Sequence, residues 1–191
     1  MKAANSAPDG GDPAAPKRLE RGLLHVYTGT GKGKTTAAMG LAARAAGHGY
    51  RVHVFLFLKE QMPGGERAAL ERVGGVSFES FGREGHVNPK HPDPRDVESA
   101  RRGFARAREV IASGDFDLVV LDEINTAVQM GLLDLGDILK MLETRPAHVE
   151  VVCTGRGAPL ELMGLADYVT RMESIKHPYE RGIVGRKGID E

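Results

Sequence analysis

The chain has 191 residues, with 26 Lys plus Arg against 26 Asp plus Glu, so its formal net charge is zero. Apolar residues at 41% and charged residues at 27% exclude a disordered chain, and the charge balance argues against a basic nucleic-acid-binding sleeve. The one cysteine, Cys153, excludes a disulfide framework and a Cys-rich metal site, and no apolar run reaches the roughly 18 residues of a membrane-spanning helix. The N-terminus lacks the apolar core of a signal peptide, so a cytoplasmic enzyme is the expectation, with no membrane and no nucleic-acid partner.

Residues 1–21 are small, polar and interrupted by Pro8, Pro13 and Pro16, and they read as a flexible tail able to order over a ligand or partner subunit. Residues 22–191 read as a single domain. Its first strand is Leu23–Tyr27, followed by a Gly-rich turn and an Ala-rich helix ended by Gly47 and Gly49. Arg51–Leu58 is a strand whose continuous apolar run suits a parallel sheet. A short helix over Glu66–Arg72 and a strand over Val76–Phe81 follow, then a Gly/Pro-rich loop from Gly82 to Pro94. Asp96–Ala112 predicts an amphipathic helix with Val97, Ala100, Phe104, Ala107 and Ile111 on its apolar face. Phe116–Leu121 predicts a buried strand, Asp134–Glu143 a helix, Val149–Cys153 a strand, Pro159–Leu165 a helix and Tyr168–Met172 the last strand. Repeated strand–helix units imply a P-loop NTPase-like three-layer α/β fold around a mostly parallel sheet.

The strongest local signal is Gly29-Thr30-Gly31-Lys32-Gly33-Lys34-Thr35-Thr36. Its glycines let successive N–H groups turn toward phosphate oxygens, Lys34 supplies a mobile cation, and Thr35 offers a hydroxyl to Mg²⁺. The general pattern starts with glycine at position 28, where this chain has Thr28. Asp122-Glu123 ends a buried strand, where a metal–nucleotide site needs carboxylates; an acidic helix cap is the plainer alternative. Thr154-Gly155-Arg156-Gly157 also follows a strand, and Arg156 suits a grip on ribose or phosphate, a simple turn being the alternative. Lys32 sits within the loop as a phosphate contact, Arg44 lies several turns down the helix toward solvent, and Lys59 at a strand end suits ligand contact and surface placement equally.

At LLHVYTGTGKGKTTAAMGLAARAAGHGYRVHVFLFLKE, DLVVLDEI, EVVCTGRG, LADYVTRM and KHPYERGIVGRKGIDE the chain resembles the ATP:corrinoid adenosyltransferases of the CobA/CobO/BtuR type, over roughly residues 22–191. The resemblance implies transfer of the 5′-deoxyadenosyl group of ATP to the Co(I) centre of a reduced corrinoid, with release of triphosphate, in adenosylcobalamin synthesis or salvage. It implies ATP held reversed in the phosphate loop, with Mg²⁺ or Mn²⁺ on the triphosphate. It assigns triphosphate binding to Thr30, Gly31, Lys32, Gly33, Lys34, Thr35 and Thr36. Thr35, Asp122 and Glu123 then serve the metal, Lys34, Asp122 and Glu123 the reaction, and Arg156 the nucleotide. A homodimer and a flavoprotein reductant are further implications.

The family's Gly-Phe-Thr-Trp stretch, whose aromatics wedge against the corrinoid's lower face, has its nearest counterpart in Gly85-His86-Val87-Asn88. His86, Val87 and the nearby Phe81 are therefore candidate corrinoid-facing residues, the alternatives being an ordinary loop histidine at 86 and an incomplete corrinoid substrate with no bulky lower base to displace. Cobalt ligation by His86 would oppose the four-coordinate state that reduction requires. His177, in the terminal segment, suits tail ordering, a nearby ligand role, or a plain surface or packed position. A conventional P-loop ATPase or kinase, cleaving at phosphorus, and a non-catalytic corrinoid-binding delivery protein are the competing functions. The acceptor itself, a cobyrinic acid diamide, cobinamide or complete cobalamin, is left open.

Overall fold

Short runs of β-branched and aromatic residues alternate with helices along the chain, and in a computed structural model they assemble into one sheet covered on both faces. The structure describes residues 18–60, 65–83, 85, 87–89 and 91–189. The strands are β1 (Leu24–Thr28), β2 (Val52–Phe57), β3 (Val76–Phe81), β4 (Leu118–Asp122), β5 (Glu150–Thr154) and β6 (Tyr168–Arg171). The helices are α1 (Lys34–Gly47), α2 (Gly65–Val73), α3 (Pro94–Ser113), α4 (Ile124–Gln129), α5 (Leu135–Glu143) and α6 (Leu160–Leu165), and a 3₁₀ turn covers Pro178–Arg181. Every predicted strand and helix is present, with ends displaced by up to two residues. Helix α4 and the 3₁₀ turn were not foreseen, since both are too short to show a periodicity.

All strand pairings are parallel, in the order β3-β2-β4-β5-β1-β6. Parallel strands need crossovers, and those crossovers cover both faces with helices. This explains why every residue of β2 and β4 is buried. One core, beneath α3 to α6, gathers Phe55, Phe57, Leu121, Ile111, Ile138 and Leu142. The other, beneath α1 and α2, gathers Ala38, Met39, Val54, Leu56, Val120 and Leu70. Helix α3 buries Ala100, Ala107 and Ile111 as its sequence pattern predicts, and Asp93 caps it by accepting from the Arg95 N–H at 2.9 Å.

Residues 1–17 of the expected tail lie outside the described residues. Residues 18–22 are joined to the body: the Arg18 guanidinium bonds the Gly114 carbonyl, and Gly22 N–H donates to the Ala147 carbonyl at 2.8 Å. No helix among the described residues is long and apolar enough to cross a membrane. The strand order sets β5 between the phosphate-loop strand β1 and the acidic strand β4. The C-terminal ends of β1, β2, β4 and β5 therefore open onto one rim, the usual ligand side of a parallel sheet.

Candidate active site

The phosphate loop leaves β1 at Thr28 and enters α1 at Lys34. Gly33 caps α1 at φ 116°, a conformation costly for any residue with a Cβ, and its carbonyl accepts the first helical bond from Ala37 N–H at 2.8 Å. Gly31 N–H donates to the Met172 carbonyl at 2.7 Å, and a Cβ on Gly31 would lie 2.7 Å from the Glu173 carbonyl carbon. The segment following β6 thus braces the outside of the loop. Lys34 is largely buried, and its ammonium donates to the carbonyls of Gly29 at 2.9 Å and Gly31 at 2.7 Å. Burial pulls its pKa below the ordinary lysine value; Glu123 and Asp122 oppose that shift and Arg156 adds to it.

Asp122 is the hub of the site and has no exposed surface. Its Oδ1 accepts from Thr35 Oγ1 at 2.9 Å and from Thr154 Oγ1 at 2.6 Å, and its Oδ2 accepts from Lys59 Nζ at 2.7 Å. The Thr154 hydroxyl in turn accepts from Glu123 N–H at 3.0 Å. Glu123 adopts a left-handed backbone (φ 64°) at the N-cap position of α4 but makes no side-chain cap bond; instead its Oε2 accepts from Thr126 Oγ1 at 2.5 Å. Thr126 Oγ1 also accepts from Arg156 N–H at 2.9 Å. Gly155 sits so tightly against α4 that a Cβ there would lie 2.7 Å from the Thr126 nitrogen. One hydroxyl-bridged network therefore ties the phosphate loop, the end of β4 and the 154–157 turn together.

Two cavities open on this network. A chamber of about 440 Å³ is lined by Thr30 to Thr36, Glu123 and Arg156, and is walled by the C-terminal segment through His177, Tyr179 and Val184. A cleft of about 1080 Å³ is bordered by Leu58, Lys59, Val87, Pro89, Met130 and Met163, among others. Thr30, Glu123 and Arg156 belong to both, so the two spaces meet at those side chains.

Of the residues singled out in the sequence, Thr30, Gly31, Lys32, Gly33, Lys34, Thr35, Thr36, Glu123 and Arg156 share the chamber, with Asp122 beneath it. Lys32 Nζ donates to the Ile189 carbonyl at 2.8 Å, drawing the terminal segment to the loop. His177 accepts from the Tyr179 N–H at 3.2 Å and so starts the 3₁₀ turn. Phe81 stacks at 6.2 Å on Phe55, packs against Gly103 of α3, and is not among the residues bordering either cavity. His86 lies outside the described residues. Arg44 is exposed, as expected. Lys59, for which the sequence leaves ligand contact and surface placement equally open, pairs with Asp122 and borders the cleft, whereas Thr126 and the role of Thr154 had no local signal. A single Lys or Thr at an element end is unremarkable until the sheet order brings it to Asp122.

The Thr35 hydroxyl and the Asp122 carboxylate are hard oxygen donors, the type that Mg²⁺ or Mn²⁺ takes. Among the described residues no three or more His, Cys, Asp or Glu side chains gather as a metal-holding group. Two oxygen donors beside a phosphate loop fit an ion that keeps several waters and completes its shell with substrate phosphates.

The model of the family described as ATP:corrinoid adenosyltransferase BtuR/CobO/CobP matches residues 20–190. A corrinoid adenosyltransferase of Pseudomonas aeruginosa is 41% identical over 177 residues, covering 92% of this chain and 87% of its own length. The corrinoid adenosyltransferase CobA of Salmonella typhimurium is 37% identical over 179 residues, covering 90% of this chain and 86% of its own. A corrinoid adenosyltransferase of Escherichia coli K12 is 38% identical over 171 residues with the same two coverages, 90% and 86%. With a phosphate loop, a buried acidic strand end and a second large cleft meeting at one rim, and with near full-length similarity to these enzymes, the chain belongs to the ATP:corrinoid adenosyltransferase family.

Proposed function

We infer that this protein transfers the 5′-deoxyadenosyl group of ATP to the Co(I) centre of a reduced corrinoid, releasing triphosphate, in adenosylcobalamin synthesis or salvage. The observation that carries this reading is the junction of the two cavities at Thr30, Glu123 and Arg156. The smaller space has the donors for a triphosphate, and the larger has the size and the Leu58, Val87, Met130 and Met163 walls for a broad, largely apolar acceptor.

In this reading the triphosphate lies against the loop N–H groups of Thr30 and residues 32–36, at the N-terminus of α1, while the Gly31 N–H stays on the Met172 carbonyl. The ribose faces the cleft, as the reversed nucleotide of the family does. Lys34 exchanges its two loop carbonyls for phosphate oxygens, a short side-chain movement with no backbone rearrangement. Thr35 and Asp122, with Glu123 beside them, would hold Mg²⁺ or Mn²⁺, whose charge, when bound, would lower the cost of expelling triphosphate. Glu123 and Arg156, at the junction, orient the ribose end. Cobalt(I) supplies an electron pair to C5′, the cobalt–carbon bond forms, and the C5′–oxygen bond breaks with its electrons leaving on triphosphate. No side chain acts as nucleophile. The protein's contribution is alignment of cobalt and carbon and stabilisation of the leaving group's charge.

Gly85, Val87 and Pro89 belong to the acceptor side, a reading supported by their place along the cleft. A homodimer and a flavoprotein reductant complete the proposal. The exposed Tyr168 and Val169 on the edge strand β6 are consistent with a covered face there.

The test is anaerobic product analysis with Mg-ATP and chemically reduced corrinoid. Equal amounts of a light-sensitive adenosyl–cobalt species and of triphosphate are expected. ADP and phosphate without an adenosyl–cobalt product would replace this reading with a conventional ATPase.

A further inference from the structure

Lys59 stands at the lip of the acceptor cleft and takes no part in the steps above. Its ammonium is 2.7 Å from Asp122 Oδ2, while its side chain keeps 31% exposure and borders the cleft. Asp122 has no exposed surface, and among the described residues Lys59 is the one cation paired with it. Thr35 and Thr154 both bond Oδ1. The charge on Oδ2 thus rests on Lys59, and a buried carboxylate without a compensating cation is costly.

The backbone around this pair is built for it. Among the described residues only Leu58 (φ 61°) and Glu123 (φ 64°) are non-glycine residues in the left-handed region, and each adjoins one member of the pair. Strain of this kind persists where the surrounding structure over-determines it, and it clusters at functional positions. Gly82 presses on the same turn, where a Cβ would lie 2.2 Å from the Lys59 nitrogen. Lys59 is therefore held at its root by the backbone and at its tip by Asp122 alone among the ion pairs of the described residues.

We propose that Lys59 is a place-holding cation: in the nucleotide-free protein it neutralises Asp122, and the divalent ion arriving with ATP displaces its ammonium into the acceptor cleft. The proposal rests on the nucleotide and metal assignments above. An ammonium and a divalent ion drawn to the same carboxylate repel each other, so the two would compete for Asp122. Thr35 is not disturbed by the exchange, because it can donate its hydrogen to Oδ1 while offering a lone pair to the ion. Lys59 is a positioning residue. It balances the charge of Asp122 and holds the carboxylate in place before the ion arrives, and its departure delivers positive charge to the acceptor side only when the nucleotide is in place.

The experiment uses the full chain without corrinoid, so no turnover intervenes. ATP affinity is measured by titration calorimetry with and without Mn²⁺, for wild type, Lys59→Met and Lys59→Arg. The factor by which Mn²⁺ tightens ATP is the coupling between the two ligands. Removing the competitor in Lys59→Met raises that factor about tenfold, whereas Lys59→Arg, which keeps the charge, stays near wild type. Lys59→Met also lowers the melting temperature of the ligand-free protein, and Mn-ATP restores more of it than in wild type. Lys59→Gln supplies the same comparison should the Met variant not fold. An unchanged coupling factor overturns the proposal, and ATP weakened equally with and without Mn²⁺ overturns it in favour of a plain phosphate contact. Absent ATP binding by the wild type would overturn the nucleotide site itself, and the exchange with it.

Discussion

Replacing Thr154 with valine tests the hydroxyl network directly, because valine keeps the shape and removes only the polar atom. Thr154 is fully buried, donates to Asp122 Oδ1 at 2.6 Å and accepts from Glu123 N–H at 3.0 Å. The first bond ends on a charged acceptor, of a kind worth about 1.5–3 kcal/mol, and losing the second leaves a backbone donor unpaired at about 1–3 kcal/mol. Asp122 keeps its bonds to Thr35 and Lys59, so the two losses do not add in full, and about 3 kcal/mol is expected. For a chain of this size each kcal/mol moves the melting temperature by about 2–4 °C, so the drop is about 6–12 °C. Urea unfolding followed by circular dichroism reads the change as a lower midpoint at constant slope. Thr154→Ser keeps the hydroxyl and costs about 1 kcal/mol, the value of a lost buried methyl. ATP binding falls in the valine variant, since Glu123 loses the bond that holds its left-handed backbone. A stability loss under about 0.5 kcal/mol, or a serine variant as damaged as the valine one, would refute this account of Thr154.

Lys34→Ala removes the loop cation while cutting only its bonds to two loop carbonyls. Adenosyl transfer drops by about 10²-fold or more, with the circular dichroism spectrum and urea midpoint near wild type; retained activity would dismiss the assigned role. Gly155→Ala drives a Cβ to 2.7 Å from the Thr126 nitrogen at φ 129°, so α4 must shift, and a loss of at least about 2 kcal/mol is expected by thermal unfolding. Burial pushes the Cys153 thiol up to about 12. Native protein therefore resists a thiol-specific disulfide reagent at pH 8 and reacts fully only in denaturant, and fast native labelling would contradict its burial. The sign for stability follows from linkage. The folded thiol holds its proton where the unfolded one has lost it, so this group's contribution is intact below the ordinary thiol pKa and declines as pH rises toward 12.

The phosphate loop was legible because its parts are contiguous. Strand, glycine turn and helix occupy neighbouring residues, and the φ of 116° at Gly33 is what the glycine there predicts. Asp122-Glu123 was legible as a polar pair at the end of an apolar run, with the run itself marking a buried parallel strand. Helix α4 was not, since six residues of Ile, Asn, Thr, Ala, Val and Gln hold under two turns and no periodicity. Phe81, which the family resemblance offers for the corrinoid side, packs beside Phe55 and against Gly103 of α3, a placement set by how α3 meets the sheet.

The sequence alone determined the layered parallel architecture, the phosphate-binding loop, the acidic strand end and the family, because each depends on residues close together in the chain or on their ordered recurrence. Only the tertiary structure decided that Lys59, Thr35 and Thr154 converge on Asp122, and that the chamber over the Gly-rich loop and the larger cleft share Thr30, Glu123 and Arg156. Those meetings depend on strand order. β5 lies between β1 and β4, and β2 lies on the far side of β4. That order is chosen by how whole helices and strands pack over long separations in the chain, and no local pattern encodes it.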